Sequence, residues 1–333
     1  MPHPARLVLP VALAAFLSAC SSSGYSAQEE EKMIENHTEL AQQYLVMGEL
    51  DRAEGQVEKG LALDPGNVRL ELIRAKVWIK RGRPEDMLRV EQRLAPIENQ
   101  GDHQLRLCLG IALERKGVAL DEAADAIESG KRVTESADPK QRVVELRGMA
   151  VESWRAALRR YERVLEERKE DTDAISGLIR VHGLLGNTEQ SLAHAERLLA
   201  ATQVDLDFWR KQILRPDMSA SEESRFRSLV KQYETLQEST RITASILLKE
   251  LGRDAQAEAH VTAAIELDPE RAELYGRRAE LRMAQRSYEA AIQDLDAFLR
   301  LSSVTLASEH PDVRRAWNLR RECEEALRTA RAR

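Results

Sequence analysis

The fold is decided by two short stretches of sequence, GLALDP at residues 60–65 and AIELDP at residues 264–269. Their prolines, Pro65 and Pro269, lie 204 residues apart, which is six times 34. Similarity at a fixed period is typical of repeat proteins, in which each unit buries its apolar face against its neighbours. The spacing therefore predicts a repeat with a unit of 34 residues.

The composition indicates that the repeating unit is helical. With 333 residues the chain is longer than one hydrophobic core usually organises, so a core distributed over repeats fits its length. Only 4% of the residues are aromatic and 32% are charged, and the strong helix formers alanine, leucine, glutamate and arginine are abundant. The formal charge is −6, and about −7 without the first nineteen residues, whose one charge is Arg6. Nucleic acid is therefore not expected as a partner.

Three frames carry the repeat pattern most clearly, at residues 34–67, 238–271 and 272–305. They place small residues where two helices would cross and larger ones, such as Tyr44 and Phe298, between neighbouring helices. The small and apolar positions are Leu40, Ala41, Ala53, Val57, Gly60, then Ala244, Ser245, Leu248, Ala257, Val261, Ala264, then Tyr275, Ala279, Ala291 and Leu295.

This period and pattern resemble the tetratricopeptide repeat (TPR), a helix–turn–helix unit. The resemblance implies an all-α solenoid of antiparallel helix pairs, about six to eight units in all, with one concave surface.

The middle of the chain follows the pattern less closely. A third unit is predicted from 109 to 130, followed by an insertion that ends at Asp138-Pro139, and helices are predicted at 140–168 and 172–201. Between 203 and 237, Pro216 ends a helix and the Ser219-x-x-Glu222 capping box begins another. We interpret that stretch as a degenerate repeat.

The last stretch, residues 306–333, is predicted to form a basic, amphipathic helix, with Val313, Trp317, Cys323 and Leu327 near helical spacing. It is interpreted as a capping helix that covers the final repeat. A docking element for an acidic partner is the alternative, and the charge pattern does not choose between them.

The amino terminus has the features of an export signal. Arg6 precedes an apolar run, residues 7–16, that is too short to span a bilayer. The following Leu17-Ser-Ala-Cys20 resembles the lipobox of bacterial lipoproteins, in which cleavage precedes a cysteine that is then acylated. The resemblance implies a signal peptide at residues 1–19 and stable anchoring by acyl chains on Cys20. The alternative is an ordinary secretory signal in which the cysteine is incidental.

The residue after Cys20 indicates in which membrane a lipoprotein of this kind would reside. In lipoproteins of this kind an aspartate there commonly marks retention in the inner membrane, whereas this chain has Ser21. The resemblance therefore implies an outer-membrane protein of a diderm bacterium that faces the periplasm. Residues 20–33 are expected to form a polar tether with a reach of about 45 Å, followed by the TPR superhelix at 34–305.

The sequence offers few candidates for disulfides, metal sites or catalytic groups. Cys108 and Cys323 are predicted to be unpaired thiols, because a solenoid would hold them too far apart for a disulfide. His182 and His194 fit no metal site, and the sequence has no common catalytic or nucleotide-binding motif, so no metal, cofactor or small-molecule substrate is predicted. Glu223, which precedes a serine, resembles part of the lytic transglycosylase motif, but the rest of that motif is missing.

The TPR resemblance also suggests which residues face the concave groove. By analogy these are Thr38, Gln42, Lys76, Ile79, Ile246, Lys249, Glu280 and Met283. The family's carboxylate clamp uses lysine and asparagine where this chain has a threonine and a glutamine, so binding of a peptide's terminal carboxylate is not expected.

The chain is therefore predicted to be a non-enzymatic adaptor that binds other proteins or peptides. The resemblance implies roles such as the assembly of pilus secretins or the docking of envelope hydrolases and proteases. The alternatives are a peptidoglycan-active enzyme and a self-assembling structural protein.

Overall fold

The structure, a computed structural model, describes residues 26–100, 103–304, 306–307 and 309–331. Within these residues the regular secondary structure is entirely helical, with thirteen α-helices and a short 3₁₀ helix at Ala95–Ile97. The prediction of an all-α fold is confirmed. The helices form two compact units, which divide after Asn67.

The first unit is one antiparallel helix pair, α1 (Ala27–Met47) and α2 (Leu50–Leu63). A capping box begins α1, in which the side chains of Ser26 and Glu29 each accept a backbone N–H at the helix start. Ala41 of α1 and Ala53 and Val57 of α2 are fully buried, as the first frame predicts. Because small residues line the contact, the two helices can approach closely.

The start of α1 corrects the predicted tether. Residues 27–33, which the sequence analysis places in a flexible tether, belong to this helix. Cys20 and the rest of the predicted tether up to residue 25 lie outside the described residues.

The second unit contains five further helix pairs and a final helix. Their bounds are α3 (Val68–Arg81) and α4 (Pro84–Leu94), α5 (His103–Glu128) and α6 (Pro139–Glu167), α7 (Thr172–Leu184) and α8 (Thr188–Ile213), α9 (Ala220–Glu250) and α10 (Asp254–Leu267), α11 (Ala272–Ala284) and α12 (Tyr288–Ser302), and α13 (Pro311–Arg331). Each of these helices packs on the next one along the chain, so the core is spread over successive interfaces. The described part thus has six pairs and a capping helix, within the predicted range.

The first helix of every pair ends in a residue with left-handed backbone. In five pairs this residue is a glycine, which adopts positive φ without a Cβ clash, and in the last pair it is Arg286, with φ of 61°. The glycines are Gly48, Gly82, Gly130, Gly186 and Gly252. This recurring helix end marks the six units independently of the core pattern.

Two helical hairpins are much longer than the others and overturn two predictions. α5 and α6 have 26 and 29 residues, and α8 and α9 have 26 and 31. The predicted third unit at 109–130 is not a helix pair, because almost all of it lies in the continuous α5. Gly117 lies within this helix at a close approach to α6, where an added Cβ would fall 2.4 Å from Trp154 Nε1. The stretch 203–237 is not a degenerate repeat, because it lengthens α8 and α9. Pro216 and Ser219 do lie at the predicted helix end and helix start.

These hairpins explain the spacing of six periods. Between Pro65 and Pro269 the described part contains four helix pairs, α3/α4 to α9/α10, where six 34-residue frames would fit. Each long hairpin therefore takes up about one extra frame. Because successive helices are antiparallel neighbours, the α5–α6 loop and the α8–α9 loop lie at opposite edges of the second unit.

Tyr161 of α6 shows why glycines occur inside the helices on either side. Its fully buried ring lies between Gly110 of α5 and Gly177 of α7, where an added Cβ would fall 2.7 and 2.4 Å from ring atoms. The hydroxyl donates to Glu114 at 2.6 Å, and the same carboxylate accepts from Arg180 at 2.5 Å. Burial, followed by the charge of Glu114, raises the pKa of Tyr161 well above its usual value. The ring is therefore packed against both glycines and held at its tip by Glu114.

Candidate functional site

The first helices of the last units lie side by side at the C-terminal end of the solenoid. Glu280 of α11 accepts from Lys249 of α9 at 3.4 Å and from Arg315 of α13 at 2.7 Å. Exposed ion pairs of this kind contribute only about 0–1 kcal/mol each. These ion pairs show that α9, α11 and α13 lie next to one another and present one continuous polar surface. We call this surface the groove.

A cleft of about 340 Å³ opens in the groove between α11 and α13. Leu295 and Phe298 of α12 form its floor, with Leu319 of α13 beside them. Gly276 faces the Phe298 ring, which lies 3.4 Å from the place of an added Cβ. Phe298 is only 8% exposed, so it contributes an edge of its ring to the floor of the cleft. The rim carries charges of both signs, from Glu273, Arg277, Glu280, Asp312 and Arg315. An apolar floor with a mixed rim suits a protein segment better than a single ion.

Another face of α11 is fixed by a buried carboxylate. Asp294 of α12 accepts from Arg278 at 2.7 Å and from Arg282 at 2.9 Å. Arg282 also donates to Glu258 of α10 at 2.8 Å. Burial raises the pKa of Glu258, but hydrogen bonds from Arg282 and Gln285 outweigh it and bring that pKa below its usual value. This network orients α11 between its two neighbours and so preorganises one side of the cleft.

Four predicted groove residues lie on α9 and α11. Lys249 and Glu280 face each other across adjacent first helices, and Ile246 is 40% exposed one turn before the lysine. Met283 differs, because it is half-buried and packs against the apolar cluster around Phe298. Met283 therefore contributes to packing and not to the open surface.

Lys76 and Ile79 lie on α3, at its contact with α5. Lys76 donates to Gln104 at 2.5 Å, and the carbonyl of Ile79 accepts from Arg115 at 2.5 Å. Both residues are half-buried. They again connect two first helices, but they are not brought together with the residues on α9 and α11.

Thr38 and Gln42 lie in the first unit, on α1. Thr38 is buried and its hydroxyl donates to the carbonyl of Ile34 at 2.7 Å, so its prediction as a groove residue is wrong. Threonine hydroxyls inside helices commonly bond to the preceding turn in this way. Gln42 is exposed one turn later.

The rim residues Glu273 and Arg277 were not predicted from the sequence. Together with Glu280 they are spaced by four and three residues, which places all three on one face of α11. The spacing of these three charged residues could be recognised in the sequence. Glu273 and Arg277 do not occupy the positions that the TPR resemblance assigns to the groove on α11, which are Glu280 and Met283.

Residues that resembled catalytic or metal-binding groups have other roles. Glu223 lies in the first turn of α9 and is paired with Arg227 at 2.6 Å. The rings of His182 and His194 stack with centroids 5.4 Å apart. Burial lowers the pKa of His182, and burial together with the charges of His182 and Arg197 lowers that of His194.

The described residues contain no group of histidine, cysteine and acidic side chains that could hold a metal ion. Cys108 and Cys323 are buried free thiols, as predicted. None of the described helices is long and apolar enough to cross a membrane.

Comparison with known proteins supports the repeat assignment. The family model for the tetratricopeptide repeat matches residues 243–304. This segment consists of tetratricopeptide repeats. It runs from within α9 to the end of α12 and covers most of the frames 238–271 and 272–305, which confirms the predicted resemblance there. TPR segments generally mediate protein–protein interactions through the surfaces of their stacked helices. No curated protein matches the sequence.

Several solved structures are similar to the chain at low sequence identity. PilF of Pseudomonas aeruginosa is 11% identical, with 91% of this chain and 93% of that chain covered and a TM-score of 0.34. A tetratricopeptide repeat protein from Parabacteroides merdae is 15% identical, with coverage of 88% and 99% and a TM-score of 0.35. The TPR2AB domain of yeast Sti1, in a pHSP90 complex, is 14% identical, with coverage of 88% and 99% and a TM-score of 0.28. Because these TM-scores are all below 0.5, no property is transferred from these structures to this chain.

Proposed function

We propose that the chain is a membrane-anchored adaptor that binds a protein partner through the groove. The observation that supports the proposal is the cleft between α11 and α13, with its apolar floor and charged rim, beside a segment of tetratricopeptide repeats. Stacked helix pairs of this kind accommodate extended or helical segments of other proteins.

The lining of the cleft defines the chemistry of the partner. An aromatic or leucine side chain would pack on Phe298 and Leu319, and burial of such an anchor would supply most of the affinity. An acidic residue of the partner would pair with Arg277, and a basic one with Glu273 or Asp312. These rim charges would set the orientation of the segment more than its affinity. The expected ligand is therefore a segment with one large apolar residue between charges of opposite sign.

The anchor in this proposal is acylated Cys20, which follows a signal peptide at residues 1–19. It is supported by Leu17-Ser-Ala-Cys20 and by Ser21, which favour acylation and the outer membrane, with the helices in the periplasm. Anchoring would raise the local concentration of the partner, so that modest affinity at the groove suffices.

Metabolic labelling with an alkyne fatty acid tests the anchor separately from the groove. The wild-type chain should be labelled and should fractionate with outer membranes, whereas the Cys20→Ala variant should carry no label. An unlabelled wild-type chain, or equal label on the variant, would rule out this anchor.

A photo-crosslinking residue at Arg277 tests the groove directly. Gln293 is the matched control position, because it is exposed on α12 outside the cleft lining. Irradiation of cells should give a discrete protein adduct from position 277 and none from position 293. The same adducts from both positions, or none from 277, would contradict binding in the cleft. An adduct between two copies of the chain would indicate self-assembly instead.

A further inference from the structure

The last described helix, α13, has the position of a first helix in a seventh pair. It packs on α12 as α11 packs on α10, and in the six pairs before it each first helix is covered by a second helix of the chain. Within the described residues no second helix packs on α13. One face of α13 is therefore open to one more helix.

The preceding pair shows which face of α13 this is. Leu274 of α11 packs toward α10, and Ala279, five residues later, packs against its own second helix α12. In α13, Ala316 packs toward α12, so the residue that corresponds to Ala279 is Arg321, with Trp317 one turn before it. Trp317 is 55% exposed, although the outer face of a terminal repeat is usually polar.

We call this side of α13 the open face. It is a single helical stripe with spacings of three and four residues, formed by Arg314, Trp317, Arg321, Glu324 and Arg328. Arg321 and Arg328 are exposed and form no ion pair within the described part of the chain, and Arg314 lies 3.8 Å from the exposed Glu309. Glu324 is paired with Arg320 at 2.5 Å. Over its whole length α13 has six arginines and four acidic residues, so the open face combines an apolar residue with a net positive charge.

The first described helix, α1, has a surface that complements the open face. Its side away from α2 exposes Leu40 by 39%, Val46 by 73% and Met47 by 68%. Leu40 and Met47 are seven residues apart, about two turns, so they lie on the same side of the helix. α1 has five glutamates and one lysine, a net charge of −4 against +2 for α13. Exposed apolar residues and the opposite charge therefore occur together on α1.

We propose that α1 of a second copy of the chain packs on the open face of α13, in the place of its missing second helix. Both helices have 21 residues, so they match in length when they lie antiparallel, as the two helices of each pair in this chain do. In that alignment Trp317, the seventh residue of α13, lies level with Ala41, the seventh residue from the end of α1, and beside Leu40. The exposed apolar residues of the two helices then cover one another.

The same alignment brings opposite charges together. Arg321 lies within two residues of the level of Glu39, and Arg328 within one residue of the level of Glu31, which is about 3 Å or less along the axis. Glu31 and Glu39 are exposed, and they too form no ion pair within the described part of the chain. Two ion pairs between copies can therefore form, and they set the orientation of the helices more than the affinity.

The charges disfavour a contact between two copies of α13 itself. Two antiparallel copies would place Arg321, the central residue of the helix, against itself and Arg314 against Arg328. Like charges that face each other across an interface lower the affinity. A contact of α1 with α13 joins two different surfaces, so it can continue from copy to copy. The expected assembly is therefore a head-to-tail chain or a closed ring.

Charge reversal on each helix in turn tests the proposal. Variant A carries Arg321→Glu and Arg328→Glu, and variant B carries Glu31→Arg and Glu39→Arg, all at exposed positions. The full chain is purified in detergent, and its mass is measured by sedimentation equilibrium with the detergent matched to the density of the solvent. The wild type should associate increasingly up to about 1 mM, a concentration that tethered chains can reach.

Each variant alone should associate at least about tenfold more weakly than the wild type, because like charges then meet at the contact. An equal mixture of A and B should associate again, because the glutamates on α13 of A meet the arginines on α1 of B. Trp317→Ala should also weaken association at least about tenfold. Lys131→Glu with Arg132→Glu is the matched control, since these residues are exposed in the α5–α6 loop and give the same change in net charge as variant A. This control should associate as the wild type does.

Several results would overturn the proposal. A wild-type chain that stays monomeric at about 1 mM would exclude a second copy as the occupant of the open face. Undiminished association of variant B would show that α13 contacts a surface other than α1, and equal weakening of the loop control would reduce the effect to net charge. A mixture of A and B that stays monomeric would show that the two helices are not partners. These results are independent of acylation at Cys20 and of partner binding in the cleft, because the open face shares no residue with the cleft lining.

Discussion

Replacing Gly177 with alanine tests whether the Tyr161 ring is confined as the structure shows. The new Cβ would lie 2.4, 2.5 and 2.7 Å from three ring atoms. Movement of the ring is restricted, because it also packs against Gly110 and its hydroxyl donates to Glu114. Overpacking of a closed core costs about 1–3 kcal/mol, and the better helix propensity of alanine returns about 1 kcal/mol. We expect a net loss of up to about 2 kcal/mol, or up to roughly 8 °C in the melting temperature.

Gly148→Ala is the control for this substitution. Gly148 also lies inside a long helix, α6, but no atom lies within 4 Å of its added Cβ, so alanine should stabilise the chain by about 1 kcal/mol. Thermal unfolding followed by circular dichroism at 222 nm compares both variants with the wild type. Combining Gly177→Ala with Tyr161→Leu should cost less than the sum of the two changes, since the smaller side chain relieves the clash. If Gly177→Ala melts as high as Gly148→Ala, the confined ring is refuted.

Three further predictions concern stability. Asp294→Ala should cost about 3 kcal/mol in urea unfolding, because it leaves the largely buried Arg278 without a carboxylate and Arg282 with Glu258 alone, and a loss below 1 kcal/mol would show that Arg278 finds another partner. Arg286→Gly should stabilise the chain by about 1 kcal/mol, because it removes a Cβ from left-handed backbone, and a lower melting temperature would contradict this. His182, His194 and His260 have pKa values lowered chiefly by burial, so the unfolded chain takes up protons first and stability should fall as the pH drops below about 6.5. Replacing the three with glutamine should flatten that dependence between pH 7 and pH 5 in denaturant titrations, and an unchanged slope would contradict it.

The helix pairs at the ends of the chain could be predicted because local signals and packing agree there. Ala257, Val261 and Ala264 have the spacing of a helix face, and all three are fully buried. The glycine at each first-helix end adds a second, independent signal, which fails only at Arg286. Where the pattern and the turn residue coincide, a single sequence is enough to place a unit.

The middle of the chain could not be predicted in the same way, because two of its signals have more than one cause. A glycine inside a helical pattern can mark a turn or a close approach, and only the position of Trp154 shows that Gly117 is the second case. The capping box at Ser219 correctly marks a helix start, but a cap does not tell whether the new helix begins a repeat or continues a hairpin. Each of the two long hairpins adds about one 34-residue period to the chain. The distance from Pro65 to Pro269 therefore remains a whole number of periods and does not reveal them.

The groove was predictable in part. Lys249 and Glu280 face each other because the helical period fixes which side of each first helix is exposed. The prediction of Thr38 as a groove residue failed because a threonine hydroxyl can form its hydrogen bond within its own helix. The prediction of Met283 failed because its apolar side chain packs against α12 and α13. The floor of the cleft, formed by Phe298, depends on how α13 packs on α12, which no local pattern specifies.

The most direct test of the adaptor hypothesis is photo-crosslinking from Arg277 in living cells, with the adducts identified by mass spectrometry in wild-type and Cys20→Ala backgrounds. We predict one discrete protein partner from the anchored chain, and a weaker or absent adduct when Cys20 is replaced. No partner in either background, or an equal adduct without the cysteine, would contradict a membrane-anchored adaptor.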